Sequence, residues 1–261
     1  MHEDEFGGLD RDLRSTGAAM RRRDFIRLAA SAGMALGALP LLGCGNDDGV
    51  AADPCAETPQ ETAGPFPGDG SNGPNVLSQS GIVRSDIRSS FGGLAGTAAG
   101  IPLTVTLTLV WSENDCAPLA ARAIYLWHCD REGRYSLYSP GATDQNYLRG
   151  VQETDANGQA TFTSIFPACY AGRWPHIHFE VYPSLAAATT AANKLATSQL
   201  AIPKSGCDAV YATTGYEQSF TNLQQVSLAT DGVFGDGSAL QLATMSGNVA
   251  TGFNAALRVV A

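Results

Sequence analysis

Histidine is scarce in this 261-residue chain: His2, His128, His176 and His178 are the only four. A three-histidine metal site would therefore need His128, because His2 precedes a signal-like segment. A cupin-like site needs a further histidine after His178, and none follows. Charge is also sparse. Only 16% of residues are charged, and the net charge is −9. That excludes the broad basic face on which nucleic-acid binding depends. With 44% hydrophobic residues the chain has enough apolar material for a core, so the high-charge, low-hydrophobicity composition of a disordered chain is excluded as well. No Cys-x-x-Cys pair occurs, which leaves a zinc ribbon without its ligands. No internal repeat is evident. What is abundant is turn material, with 29 Gly and 13 Pro.

The first 43 residues read as an address. Arg21, Arg22 and Arg23 precede an uncharged run from Leu28 to Leu42, rich in Ala, Gly and Leu. At 15 residues the run is short for a bilayer-spanning helix and suits a signal-peptide core. It ends at Gly43-Cys44. Twin arginine, apolar core and small residue before cysteine resemble a twin-arginine lipoprotein signal. Export to the periplasm or cell envelope is expected, with Cys44 a candidate for lipid attachment and the only expected tie to a membrane. Met20 directly before the arginines is a candidate true start. Residues 1–43 hold six acids and six bases, so their removal leaves the net charge at −9. Six cysteines, Cys44, Cys55, Cys116, Cys129, Cys169 and Cys207, fit an oxidising compartment. Spacing does not choose their pairs. With Cys44 set aside the remaining five leave one thiol free or intermolecular.

Residues 44–60 read as a linker, its Pro/Gly/Asp-rich character running on to residue 75, and residues 61–261 as one domain. Leu103 to Trp111 alternates Leu or Val with Thr, the period-two pattern of a half-buried strand. Further strands are expected over 122–130, 161–166, 174–182 and 253–260. A turn is expected at Arg131–Arg134, and Asp155-Ala156-Asn157-Gly158 is a hairpin signal. Ser184 to Ala196, Ala-rich without Gly or Pro, is the one stretch that looks helical. Many short strands between frequent turns argue for an all-β sandwich with short helical excursions.

The chemistry starts from His176-Ile177-His178 inside a strand pattern. Residues two apart in a strand share a face, so both imidazoles can grip one ion. A bare His-x-His is as well explained by two structural histidines. A metal held here would recruit oxygen ligands from Asp, Glu or Tyr.

The pair belongs to a series of four blocks. They are Leu126-Trp127-His128-Cys129-Asp130 with Gly133-Arg134-Tyr135-Ser136, Tyr147 to Gly158, Phe166 to Arg173, and His176 to Phe179. In this order they resemble the intradiol ring-cleavage dioxygenases of the catechol and protocatechuate type. The resemblance reaches back to Thr62–Pro67 and Arg84–Ile87 and is nearest to exported, single-core members. It implies one Fe(III) per chain, with Tyr135 and His178 as equatorial ligands and Tyr170 and His176 as axial ones. Phenolate suits a hard ferric ion, whose charge lowers the phenol pKa. The resemblance further implies that a catechol chelates the iron and displaces Tyr170 and a hydroxide, which take its protons. Ring cleavage by O2 between the hydroxyl carbons then gives a muconate-type diacid. Arg173 and Gln199 take the places of the family's residues that steady developing negative charge. His128 takes a supporting place rather than a ligand's. Phe66, Ala168 and Cys169 depart from the family's usual Tyr, Gly and Trp or Pro, and bear on the choice of substrate. Two other readings stand beside this one. The first is an inactive sandwich that binds aromatics or sugars. The second is a copper or zinc site built on His128, His176 and His178.

Overall fold

The structure, a computed structural model, describes residues 55–261. The signal at 1–43, the start at Met20, Cys44 and the first part of the linker lie outside the described residues. In chain order the strands are β1 (Pro102–Trp111), β2 (Ala117–Pro118), β3 (Ala123–Trp127), β4 (Arg149–Glu153), β5 (Gln159–Ile165), β6 (His176–Tyr182), β7 (Ala196–Ala201), β8 (Thr244–Asn248) and β9 (Gly252–Val260). Two helices, α1 (Lys204–Tyr211) and α2 (Glu217–Leu223), fall between β7 and β8.

The strands form two sheets. In the first, β1 lies between β9, its parallel neighbour, and β5 and β2, both antiparallel to it, while β8 pairs with the outer side of β9. The second runs β4-β3-β6-β7, antiparallel throughout. Alternation decides what faces what. Leu103, Val105, Leu107 and Leu109 of β1 meet Ile124, Leu126, Ile177, Phe179 and Val181 of the second sheet in the sandwich core. The intervening residues of β3 and β6 face outward, yet both strands are buried along their whole length. A layer of loops covers that outer face, and Tyr125, Trp127, Tyr135, Ala168 and Tyr182 form a second apolar cluster there. His176 and His178 lie in the strand that both layers cover. The all-β sandwich expected from the strand pattern is the fold observed.

Several local expectations need correction. Ser184–Ala196 is not a helix but two single 3-10 turns, Leu185–Ala187 and Ala191–Asn193. Neither buries a residue, and a short helix without a packed face does not hold in water. The helices that do form bury Cys207, Val210 and Tyr211 from α1 and Leu223 from α2. The turn at Asp155–Gly158 is present, with Gly158 N–H donating to the Asp155 carbonyl at 2.9 Å. It is not a hairpin, because β4 belongs to one sheet and β5 to the other. The strand expected over 122–130 ends at Trp127, which frees Asp130 to organise a loop. The segment read as a linker is docked from residue 58 onward. Thr58 N–H donates to Val260 in the first sheet at 3.0 Å, and Glu61 N–H to Thr197 in the second at 2.8 Å.

Cys55 pairs with Cys116 across 61 residues of chain, whereas Cys129, Cys169 and Cys207 are buried free thiols. Three free thiols, not one, therefore remain among the described residues. Burial pushes Cys169 up to about 12 and raises Cys129 and Cys207 as well, which leaves them as unreactive apolar packing. The disulfide restrains the unfolded chain by closing a long loop. Its reduction, or Cys55→Ser, is expected to cost about 2–4 kcal/mol. Denaturant midpoints with and without reductant measure this, and identical midpoints would refute it. Among the described residues no helix is long and apolar enough to cross a membrane.

Candidate metal centre

β6 places His176 and His178 on its outer face with their Nε2 atoms 3.1 Å apart. The Tyr135 hydroxyl lies 3.4 Å from His176 Nε2 and 3.1 Å from His178 Nε2. The Tyr170 hydroxyl lies 3.2 Å from His176 Nε2 and 3.5 Å from the Tyr135 oxygen. Five of the six distances among these four donor atoms are thus 3.1–3.5 Å. Donors spaced in this way surround a point about 2 Å from each, a length typical of metal–nitrogen and metal–oxygen bonds. Tyr135, His176 and His178 are buried, and Tyr170 is half-buried at the open side.

The protonation pattern fits an ion at that point. His176 Nδ1 is 2.6 Å from the Trp174 carbonyl. That bond puts the proton on Nδ1 and leaves Nε2 as a bare lone pair aimed at the other donors. A bare imidazole nitrogen facing two phenol oxygens is an arrangement that a cation can occupy once the phenols lose their protons. Burial, reinforced by the Arg173 guanidinium for His176 and by the His176 ring for His178, holds both imidazoles well below their ordinary pKa and therefore neutral. His178 stacks on Trp127, its cross-strand neighbour, at 4.9 Å with the rings 6° from parallel. No group of three or more His, Cys, Asp or Glu residues converges among the described residues, so the site depends on the two phenols. Two phenol oxygens, anionic once they bind a cation, and two neutral imidazoles suit a hard, highly charged ion such as Fe(III).

Local structure explains how each tyrosine arrives. Asp130 Oδ1 accepts from the backbone of Glu132 and Arg134 at 3.0 and 2.9 Å, and Oδ2 from Tyr147 at 2.9 Å. This tight turn delivers Tyr135, whose own N–H donates to Ser139 at 2.9 Å. The Tyr170 loop is held from behind by α2. Ser219 accepts from Cys169 N–H at 3.0 Å, and Asn222 donates to the Cys169 carbonyl at 2.8 Å. Phe66 packs against Tyr135 and Tyr138 at 5.1 and 5.2 Å between ring centres, so the 62–67 segment forms part of the rim.

Arg173 and Gln199 also meet. Arg173 is fully buried, and its Nη2 donates to Gln199 Oε1 at 2.7 Å. Gln199 sits directly opposite His178 in the β6–β7 register. His128 stands apart from the site. Its Nδ1 is 2.7 Å from the Cys129 carbonyl and its Nε2 2.7 Å from Ser164. Both nitrogens are engaged, which removes the basis for the three-histidine copper or zinc site. The sequence reading gave no role to Asp130, Arg149 or Asp231, which brace the site. Asp130 and Arg149 fall inside the motif blocks, but Asp231 lies 58 residues beyond Arg173 and carries no local signal.

His128 also sets an acid limit on stability. Burial lowers its pKa from 6.5 to about 4 in the folded state. The unfolded chain binds this proton first, so stability is full above pH 6.5 and is lost as pH falls toward 4. The expected loss is about 3 kcal/mol from this residue. Unfolding midpoints of the metal-free protein from pH 7 to 4 test it, and a slope unchanged by His128→Gln would count against it.

A β-sandwich with two phenols and two imidazoles converging on its outer face has the donor set of a mononuclear, non-haem metal site. Comparison with known proteins narrows this. A dioxygenase family model matches residues 73–191. An intradiol ring-cleavage dioxygenase from Tetranychus urticae is similar in structure, with a TM-score of 0.55 and 25% identity over 69% of this chain and 86% of that one. A second solved dioxygenase has a TM-score of 0.56 and 25% identity, over 69% of this chain and 85% of that one. A chlorocatechol 1,2-dioxygenase of Rhodococcus opacus is 34% identical over 58 residues, 22% of this chain and 23% of that relative. The chain thus spans about a quarter of the length of the curated relative it matches. The chain is thus similar to the intradiol ring-cleavage dioxygenases, in the family-model match and in fold.

Proposed function

We propose that the protein is an exported, Fe(III)-dependent dioxygenase that cleaves a catechol-type ring between its two hydroxyl carbons with O2, giving a muconate-type diacid. The observation that carries this reading is the convergence of Tyr135, Tyr170, His176 and His178 at 3.1–3.5 Å. These four residues would hold the metal. When bound, Fe(III) supplies the Lewis acidity that draws electron density from a chelated catechol and opens the ring to O2.

The remaining chemistry belongs to the chain. Tyr135, buried beside both histidines, is the fixed anionic donor. Tyr170, half-buried at the open side, is the donor that gives way to substrate and takes one of its protons at Oη. Arg173 places a fixed positive charge near His176, where negative charge develops on the ring, and Gln199 fixes the far end of that guanidinium. Phe66, packed on the Tyr135 ring, places an aromatic side chain suited to a planar ring beside the four donors. The Cys55–Cys116 disulfide supports export, because such bonds persist in oxidising compartments. The twin-arginine route, which carries folded proteins, agrees with metal insertion before transport.

The test is the visible spectrum of the iron-loaded protein before and after anaerobic addition of catechol. A broad tyrosinate-to-iron band that shifts with catechol is the expected result. A colourless protein after ferric reconstitution would overturn the reading.

A further inference from the structure

Asp231 lies in the loop after α2, far in sequence from the donors, with its carboxylate fully buried. Its Oδ2 accepts from Arg173 Nε at 3.0 Å and from the Trp174 N–H at 2.7 Å. Its Oδ1 accepts from the N–H groups of Val233 and Phe234 at 2.8 and 3.1 Å. Four donors thus converge on one carboxylate, and two of them lead to the site. The first is the guanidinium, whose opposite end donates to Gln199 at 2.7 Å, while Gln199 donates in turn to the Thr62 carbonyl at 2.9 Å. The second is the backbone of Trp174. That residue is pinned again by its indole N–H on the Ile202 carbonyl at 2.8 Å, and its own carbonyl accepts from His176 Nδ1 at 2.6 Å.

We propose that Asp231 is the positioning residue of this centre, setting the direction of the Arg173 charge and, through Trp174, the donor nitrogen that His176 offers. The inference rests on the dioxygenase reading for its kinetic consequence and on geometry alone for its effect on His176. A buried guanidinium without its carboxylate has no fixed orientation, and charge stabilisation depends on orientation. Asparagine cannot substitute. It has one oxygen where the site needs two, so its NH2 group must face either Arg173 and Trp174 or Val233 and Phe234, which are all donors.

Asp231→Asn, Arg173→Met and the double variant are compared with the wild type using catechol and O2. For Asp231→Asn a fall in kcat of about 100-fold is expected, the scale of a small misplacement at a reacting centre, with KM changed less than about threefold. The double variant is expected to lose less than the product of the two single losses, because Asp231 acts in part through that side chain. A kcat for Asp231→Asn within about threefold of wild type, or losses that multiply in the double variant, would overturn the proposal. If Asp231→Asn does not fold, the double variant, which lacks the unpaired buried cation, is set against Arg173→Met by the His176 tautomer; a tautomer mixture in the double variant alone supports the proposal and an unchanged Nδ1 tautomer overturns it. The metal-free protein gives a separate readout. Nitrogen-15 NMR is expected to show His176 protonated at Nδ1 in the wild type and as a tautomer mixture in Asp231→Asn. An unchanged tautomer overturns the proposed path to His176. A wild type with neither ferric colour nor oxygen uptake would defeat the dioxygenase reading, and the NMR comparison would still decide the role of Asp231.

Discussion

A Tyr135→Phe chain is expected to fold, to lose its ferric colour and to cleave no catechol. Phenylalanine keeps the ring, so the packing against Phe66 at 5.1 Å survives. What disappears is the oxygen that lies 3.1 Å from His178, 3.4 Å from His176 and 3.5 Å from Tyr170. The remaining set has two neutral imidazoles and a single phenol, half the anionic charge that favours a ferric ion. Changes that only reorient metal ligands cost about 10–100-fold in affinity, so loss of a buried anionic donor is expected to exceed about 100-fold. Tyr170→Phe is the informative contrast. Tyr170 is half-buried and is the donor assigned to leave, so this variant keeps a shifted tyrosinate band from Tyr135 while losing the base that takes the catechol proton. Iron per chain and the visible spectrum decide both cases. Full iron content with an unchanged band in Tyr135→Phe would remove Tyr135 from the ligand set.

The contrast between the two tyrosines also shows what sequence alone makes legible. β1, β6 and β9 each stand out because one of their faces meets the sandwich core and forces a period of two. β4, Arg-Gly-Val-Gln-Glu, has no such pattern, because buried Arg149 serves the loop layer instead of the core. α1 escapes notice because it is eight residues long, contains Gly206 and is stabilised by packing rather than by propensity. His176 and His178 follow from strand periodicity. Tyr135 and Tyr170 sit in loops, where no periodicity exists, and emerge only from the family motifs around them. Asp231 and Phe66 reach the site by tertiary contact across 58 residues in one case and 69 in the other, from Arg173 and Tyr135 respectively. No pattern in a single chain records such contacts.

Arg149→Met is expected to cost about 3–5 kcal/mol of folding stability. Arg149 is buried at the start of β4, and all five of its N–H groups are used on neutral oxygens. Nε donates to Ser136 Oγ at 3.0 Å. Nη1 donates to the Pro67 carbonyl at 2.7 Å and the Tyr125 hydroxyl at 3.0 Å. Nη2 donates to the carbonyls of Phe66 and Ser136, both at 2.9 Å. One side chain therefore ties the rim segment that carries Phe66 to the residue that follows Tyr135. Gly68 belongs to the same arrangement. Its φ is +67°, and a Cβ there would lie 2.8 Å from Arg149 Nη1. Methionine fills the volume but leaves buried carbonyls without donors, each worth about 1–3 kcal/mol. Lysine keeps the charge, but its single nitrogen has three donors and cannot span the same partners, so Arg149→Lys is expected to recover little of the loss. The functional signature follows from the geometry. Where Arg149→Lys folds, Phe66 is released from its carbonyl tether, and KM for catechol is expected to rise more than kcat falls, the reverse of the split expected for Asp231→Asn. Denaturant unfolding of both Arg149 variants checks the stability claim, and an Arg149→Met midpoint within about 1 kcal/mol of wild type would show that the rim is held by other contacts.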